Sequence, residues 1–386
     1  MTRALRVVDA SRPGEVLVAL REALTGTREA VVPRAPSMAL PAVRSVGPER
    51  VAQNVAVVIE TSGSTGSPKR VALSADALLA SAAASAGVVG GQGQWLLALP
   101  AHYVAGAQVL VRSIAAGTDP VFYGEGHFDP ERFAELAREL DHDLRYTSLV
   151  PVQLARLLDS AEAGSRDVAS ALRRFDAILL GGQAVAPSLR ERADRLGARI
   201  MATYGSSETA GGCVYDGMPI GTTVVRESAG LLEVSGPTLA EGYLGDPDRT
   251  SAAFHEADGA RWYRTGDLGE VAADGRVTVF GRSDNVIISG GEKVLLDAVE
   301  RVVQEAPGLG HAVVVAAQHP EWGQVPVVVT EGAPPVTLPE LRAVVAERLG
   351  RAAAPARILV VDRLPRLASG KPDRVALAAV ANDRPA

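Results

Sequence analysis

"TSGSTGSPKRV", Thr61 to Val71, is the stretch on which the reading of this chain turns. Hydroxyl residues and glycines alternate, and then Pro68, Lys69 and Arg70 arrive together. Gly63 and Gly66 open backbone conformations that a Cβ would close, so successive N–H groups can point at one anion. Thr61, Ser62, Ser64 and Thr65 add hydroxyl donors, and Lys69 adds a mobile positive charge. No hydroxyl follows the lysine, so the Walker pattern GxxxxGK[ST] and an ordinary P-loop NTPase are excluded. The string alone is also compatible with a solvated Ser/Gly turn. Its flanks favour the first reading. "VAQNVAVVIE" (Val51 to Glu60) has the length and β-branched content of a buried strand. "ALSADALLASAAASAGVV" (Ala72 to Val89) is Ala-rich at helical spacing, with Ser74 or Asp76 as its cap. Strand, glycine loop and helix in that order predict a loop that holds phosphate.

The whole chain sets the frame. It has 386 residues, enough for two or three domains with a sizeable core. Apolar residues make up 47% and aromatics only 4%, so the expected core is aliphatic. A net charge of −6 argues against non-specific nucleic-acid binding, which needs a basic surface. Cys213 is the only cysteine, which excludes an internal disulfide and a thiolate metal site and fits a reducing compartment. The charged N-terminal stretch does not read as a signal peptide, and no apolar run approaches the length of a membrane span. The expectation is a soluble, cytoplasmic protein whose oligomeric state, homodimer included, stays open.

Beyond the opening loop, strand-like and helix-like runs alternate as far as Tyr215, which predicts α/β layers around a largely parallel sheet. "TTVVRE", "GLLEVSG" and "GRVTVFG" then read as short strands of a smaller β-rich subdomain. The polar stretch "GRSDN" (Gly281 to Asn285) breaks the pattern. After it, "LLDAVERVVQEA", "HAVVVAA", "VPVVVT", "LPELRAVVAERLG" and "ARILVVD" predict a compact α+β unit. The division expected is a large domain over residues 1–281, a hinge at 282–285 and a small domain over 286–386.

Four further stretches bear on chemistry. "ATYGSSETAGG" (Ala202 to Gly212) puts Ser207 and Glu208 in a loop after a strand. "WYRTGDLGEV" (Trp262 to Val271) sets Asp267 in a glycine-flanked turn. "GRSDNVIISGGEKV" (Gly281 to Val294) combines Arg282, Asp284 and the pair Gly290–Gly291. "PRLASGKPDR" (Pro365 to Arg374) holds Lys371 in a tight turn. Singly, each has a bland reading: an Asx-type turn, a solvated lysine, an exposed ion pair. Their order is what raises them above it.

Together the five motifs resemble the ordered core motifs of the adenylate-forming superfamily, which includes acyl-CoA ligases, peptide-synthetase adenylation domains and luciferases. The resemblance runs from Thr61 to Arg374 and implies a large N-terminal α/β domain followed by a small, mobile C-terminal one. It implies ATP, Mg²⁺ and CoA as cofactors and substrates. The opening loop would hold the β- and γ-phosphates. Ser207 would lie near the α-phosphate and Glu208 would hold Mg²⁺. Gly181, Gly182 and Gln183, with Tyr204 and Gly205, would frame adenine and the acyl pocket. Asp267 would take the ribose hydroxyls, Arg282 ribose or phosphate, and Asp284 would be the hinge. Gly290 and Gly291 would leave room for the pantetheine of CoA. Lys371 would stabilise charge between carboxylate and α-phosphate. That assignment is physically sensible, since a carboxylate attacking a phosphate brings anion to anion and needs cations on both.

Three stretches, Leu97 to Gly117, Thr147 to Leu158 and Ile178 to Leu189, resemble the family of 2-succinylbenzoate–CoA ligases of menaquinone biosynthesis. Ligases of this group often carry a histidine where Tyr103 stands. Tyr103 and Gly106 would border the acid, and Arg112 on the following helix is a candidate partner for a second substrate carboxylate. The expected activity is therefore an ATP-dependent acid–CoA ligase, with other aryl or short acyl acids and carrier-protein loading as alternatives. The chain ends soon after Lys371 without a carrier module, which favours a free-standing ligase. A phosphotransferase, or a binding protein that kept the fold, is the reading from another class. Intact Glu208, Asp267 and Lys371 argue against it.

Overall fold

Valine-rich strands alternate with helices whose first positions carry Ser, Asp or Pro, and this alternation builds two compact units. The computed structural model describes residues 1–35, 50–61, 69–367 and 371–383. One unit takes Met1–Arg226, Glu233–Thr265 and Val271–Val277; the other takes Glu227–Leu232, Gly266–Glu270 and Thr278–Ala386. Ser62, Gly63, Ser64, Thr65 and Gly66 of the opening loop lie outside the described residues.

The first sheet of the first unit begins with β1 (Thr2–Asp9), α1 (Pro13–Leu24), β2 (Ala30–Arg34), β3 (Arg50–Ala52), β4 (Val55–Thr61) and β5 (Lys69–Ser74). β1, β2 and β4 run parallel, while β3 and β5 are antiparallel to β1 and β4 at their respective sides. The expected strand Val51–Glu60 is thus two strands, broken at Gln53–Asn54. The expected order of strand, loop and helix also needs correction. The loop joins β4 to an antiparallel partner, with Thr61 opposite Lys69 and Glu60 opposite Arg70. Residues 69–74 pair as a strand because Val71, Ala72 and Leu73 are all buried between layers. The Ala-rich helix α2 (Ala75–Val89) starts only after them, with the Ser74 hydroxyl accepting from the Ala77 N–H at 3.3 Å.

The second sheet follows from β6 (Gln94–Leu97), α3 (Val104–Ala116), β7 (Val121–Phe122), α4 (Pro130–Ala137), β8 (Arg145–Leu149), α5 (Pro151–Glu162), α6 (Arg166–Arg174), β9 (Ala177–Leu180), α7 (Pro187–Arg195), β10 (Ile200–Ser206), β11 (Gly211–Tyr215) and β12 (Met218–Pro219). Its order is β12-β11-β10-β9-β8-β6-β7. The pairs from β10 to β7 are parallel and the last two strands are antiparallel. This matches the expected layered α/β architecture. Helix α6 went unread, because its apolar face has only Val168, Ala171 and Leu172 among charged residues. These three join Phe133, Leu154, Phe175 and Ile178 in one core against the sheet.

Past Tyr215 the strands shorten, as the turn-rich sequence implies. Phe254–Ala257 pairs antiparallel with the start of a long strand, Ala260–Val271. Asp267 therefore lies within a strand, not in the glycine-flanked turn expected for it. Gly266, just before it, has φ +73°, and the strand runs on through it to Val271.

In the second unit, strands Val313–His319 and Gly323–Glu331 form a hairpin, and Arg357–Val361 adds parallel to it. Period-2 alternation divides their valines between two cores. Val314 and Val328 face helices Leu296–Gln304 and Leu338–Leu349. Val313, Val315, Val327 and Val329 pack with Leu377 and Ala381 of a final helix, Arg374–Asp383. This last helix has little periodic signal in the sequence, since only two of its ten residues are buried.

Candidate active site

Parallel strands collect functional residues at their carboxyl ends, where loops leave the sheet, and this sheet does so. β9 and β10 are neighbours in register, Leu180 beside Ala202. Gly181, Gly182 and Gln183 therefore leave β9 on the same edge to which β10 carries Tyr204 and Gly205. Tyr103 follows β6 at that edge. Gly205 is required by a close approach, since a Cβ there would lie 2.1 Å from the Gly211 carbonyl oxygen. Gly205→Ala is expected to destabilise the unit by about 1–3 kcal/mol, read as a shifted midpoint in urea unfolding. Gly181 is confined in the same way by the Thr203 hydroxyl at 2.9 Å.

β10 ends in a short turn, Ser207–Thr209, built from its own hydroxyls. Ser206 Oγ accepts from the Glu208 N–H at 3.2 Å, and the Thr209 hydroxyl accepts from the Ser206 N–H at 2.9 Å while donating to the Gly211 carbonyl at 2.7 Å. Ser207 and Glu208 are both buried. The Tyr243 hydroxyl donates to Glu208 Oε1 at 2.8 Å. Lys69 Nζ lies 3.9 Å from the same oxygen and 5.4 Å from the Tyr243 ring centre. Two predicted residues from distant parts of the chain thus meet at one carboxylate. Burial, and next the Glu208 charge, push the Tyr243 phenol well above its ordinary pKa, so it stays a donor.

Tyr243 was missed by sequence reasoning. Its only signal is "GYLGDP", a Gly-Tyr pair before a helix start. The strand Gly242–Tyr243 pairs with Ala72 and Val71 of β5, which brings its tyrosine to the foot of the loop.

At the start of α3, Tyr103 occupies the cap position, and its ring centre lies 4.1 Å from that of buried His102. Burial lowers the His102 pKa and raises that of Tyr103, so both are uncharged near neutrality. Gly106 is confined by packing. A Cβ there would meet the Pro100 carbonyl at 2.2 Å, so its absence seats α3 against the preceding loop. Arg112 lies nine residues beyond Tyr103, about 13 Å along the helix axis. Only 7% exposed, it sits with its guanidinium 4.9 Å from the Trp95 ring centre. Nη2 donates to the Tyr215 hydroxyl at 3.3 Å, which itself reaches Ser85 Oγ at 3.0 Å. Nε has no acceptor, and among the described residues no carboxylate pairs with Arg112. A cleft of about 60 Å³ lies beside it, lined by Leu79, Ala82, Gln92 and Trp95. A buried cation without a protein counter-ion is suited to an anionic ligand.

The second unit carries the remaining predicted residues. Arg282 Nη1 lies 3.3 Å from Asp267 Oδ1, and its Nε and Nη2 each reach Asp284 at 3.2 Å. The Arg282 N–H donates to Asp297 Oδ2 at 3.1 Å, and Asn285 Nδ2 donates to the same atom at 2.9 Å. Gly290 and Gly291 form the two-residue turn between strands Val286–Ser289 and Glu292–Leu295, with φ +57° and +86°. The space above Gly290 is filled by Trp322, whose ring a Cβ would meet at 2.6 Å. The room expected at this glycine is absent, whereas Gly291 has open space. The Lys371 carbonyl accepts from the Leu367 N–H at 2.8 Å, and the Asp373 N–H donates to Pro365 at 2.9 Å, closing the lysine's loop from both sides.

Comparisons with known proteins bear on the family and the fold. The profile of the AMP-binding enzyme family matches residues 8–244, and that of the AMP-binding enzyme C-terminal domain matches residues 298–371. A probable 2-succinylbenzoate–CoA ligase of Mycobacterium tuberculosis is 40% identical over 386 residues, covering 97% of each chain. The 2-succinylbenzoate–CoA ligase of a Listeria monocytogenes strain is 31% identical over 334 residues, 83% of this chain and 68% of its own. Among solved structures, the o-succinylbenzoate CoA synthetase of Bacillus subtilis with its acyl-adenylate intermediate superposes with a TM-score of 0.72 at 29% identity, over 86% of this chain and 70% of its own. The same enzyme with ATP and a magnesium ion gives 0.71 at 29%, over 84% and 70%. The chain belongs to the AMP-binding enzyme family, with the adenylate-forming fold of those ligases.

Proposed function

We propose that this protein is an ATP-dependent acid–CoA ligase that converts 2-succinylbenzoate, ATP and CoA to the CoA thioester, AMP and pyrophosphate in menaquinone biosynthesis. The observation that carries the choice of acid is Arg112, buried and without a carboxylate of its own. An acid with a second carboxylate supplies what it lacks. The names of the relatives support the same substrate.

In the first step one substrate carboxylate oxygen attacks the α-phosphorus and pyrophosphate leaves. Thr61 and Lys69 flank the loop, with Ser62, Gly63, Ser64, Thr65 and Gly66, that would hold the departing phosphates. Glu208 fits Mg²⁺ arriving with ATP. It is a single buried carboxylate fixed by Tyr243, and no cluster of three or more ligating side chains among the described residues competes for a metal. Magnesium characteristically binds through one or two carboxylates and substrate phosphates. When bound, it neutralises phosphate charge. Ser207, Tyr204, Gly205, Gly182 and Gln183 would border the α-phosphate and adenine, and Asp267 and Arg282 the ribose. Lys371 would stabilise charge at the reacting carboxylate and α-phosphate, then withdraw by rotation about Asp284 so that the thiol of CoA, passing Gly291, displaces AMP. We assign the small domain to residues 286–386 and its hinge to 282–285. No helix among the described residues is long and apolar enough to cross a membrane, and we place the activity in the cytoplasm.

The test is CoA-thioester formation, followed by mass spectrometry, over a panel of acids with ATP, Mg²⁺ and CoA. Thioester from 2-succinylbenzoate in preference to monocarboxylic analogues is expected, and thioester from another acid alone would refute the substrate assignment. Arg112→Ala should lower kcat/KM for this acid about 10- to 100-fold while leaving KM for ATP unchanged, as loss of a charged hydrogen-bonded pair predicts.

A further inference from the structure

Ala210 carries a Cβ and yet sits at φ +50°, in the left-handed region that residues with a side chain avoid. It closes the turn that projects Glu208, and its N–H returns to the Ser207 carbonyl at 3.2 Å. The Glu208 carbonyl is held on the other side by the Ala240 N–H at 2.8 Å. Something must keep the Ala210 peptide in this orientation, because glycine, the residue that adopts it freely, is not used.

Two side chains do so from two different helices. Ser81 Oγ of α2 donates to the Ala210 carbonyl at 3.0 Å, and Gln108 Nε2 of α3 donates to the same oxygen at 2.8 Å. Both donors are fully buried. Gln108 is moreover only half satisfied. Its Nε2 has a second, longer contact to the Leu78 carbonyl at 3.4 Å, and its Oε1 has no hydrogen-bond partner. A leucine would fill the same interhelical space without stranding an oxygen, so packing alone does not account for the amide.

We propose that Gln108 and Ser81 are positioning residues for Glu208. By clamping the Ala210 carbonyl they hold the left-handed turn, and with it the backbone on which the Glu208 carboxylate is aimed. Neither touches substrate. Their effect passes through one peptide group, two residues beyond Glu208. This rests on the assignment of Glu208 as the carboxylate that takes Mg²⁺ with ATP.

The experiment measures ATP binding to the full chain by calorimetry with no acid present, once with Mg²⁺ and once in EDTA. Wild type, Gln108→Leu, Ser81→Ala, the double variant and Glu208→Gln are compared, together with their melting temperatures without ligand. For Gln108→Leu the Kd of ATP with Mg²⁺ should rise about tenfold, as for other partners that orient a metal ligand, and further in the double variant. The Kd in EDTA should move less than about twofold on the same grounds. Equal weakening in both media, or no weakening with Mg²⁺, would overturn the proposal, since a merely structural role does not discriminate between them. If Gln108→Leu does not fold, Ser81→Ala and Gln108→Met carry the same comparison. If Glu208→Gln keeps the Mg²⁺ preference of wild type, the metal assignment itself falls and this inference with it. If Glu208→Gln loses it while the Gln108 and Ser81 variants keep it, only the positioning role falls.

Discussion

Lys371→Ala is expected to lower acid-dependent adenylate formation by about 10²–10³-fold, the cost typical of removing one fixed stabiliser of transition-state charge. Release of AMP from supplied acyl-adenylate and CoA should stay within a few-fold of wild type. The physical reason is that only the first half-reaction brings carboxylate against phosphate; in the second a thiol attacks a carbonyl that is already activated. The lysine's base suits such a role. Its loop is closed by the Leu367 and Asp373 N–H groups. Arg374, three residues on, is tied to Glu300 at 2.7 Å and to the Val314 carbonyl at 2.9 Å. Burial raises the Glu300 pKa, with the Arg374 charge opposing, and the Val314 N–H donates to its second oxygen at 2.8 Å. Single-turnover assays of the two half-reactions read the outcome, and equal loss in both would refute the assignment of Lys371.

Glu208→Gln should reduce ATP–pyrophosphate exchange by a similar factor, about 10²–10³-fold, and added Mg²⁺ should not restore it. The substitution keeps volume and an oxygen that can accept from Tyr243, so the loss would report the charge and not the fold. Melting temperature checks that distinction. The same variant should let Tyr243 ionise at lower pH than in wild type, because the neighbouring negative charge is one of the causes that push its phenol up. Ultraviolet titration of the tyrosines measures this shift. An exchange rate within a few-fold of wild type would mean that Glu208 is a structural acid neutralised by Lys69.

Much of the α/β layering was legible because buried parallel strands appear as short β-branched runs, and the cap Ser74 precedes its helix. Where expectation failed, the periodic signal was weak or two-sided. β5 is apolar on both faces, so its "KRV" reads as the end of the loop and its "ALS" as the start of the helix, which hides the hairpin that carries the loop. Asp267 lies between glycines, which read as a turn, yet neighbouring strands hold it extended. The candidate site was legible as motifs, Glu208 and Lys69 above all, because hydroxyl and glycine loops have distinctive composition. Tyr243, Gln108 and Ser81 were not. Each acts through a contact made across 35 to 129 residues of chain, and no local spacing records such a meeting.

The most direct test of acyl-adenylate chemistry is ATP–pyrophosphate exchange in the absence of CoA. With 2-succinylbenzoate and Mg²⁺ present, label from pyrophosphate should enter ATP, and omission of the acid should abolish this. Exchange that is independent of every acid, or turnover of ATP that yields ADP in place of AMP, would contradict the account.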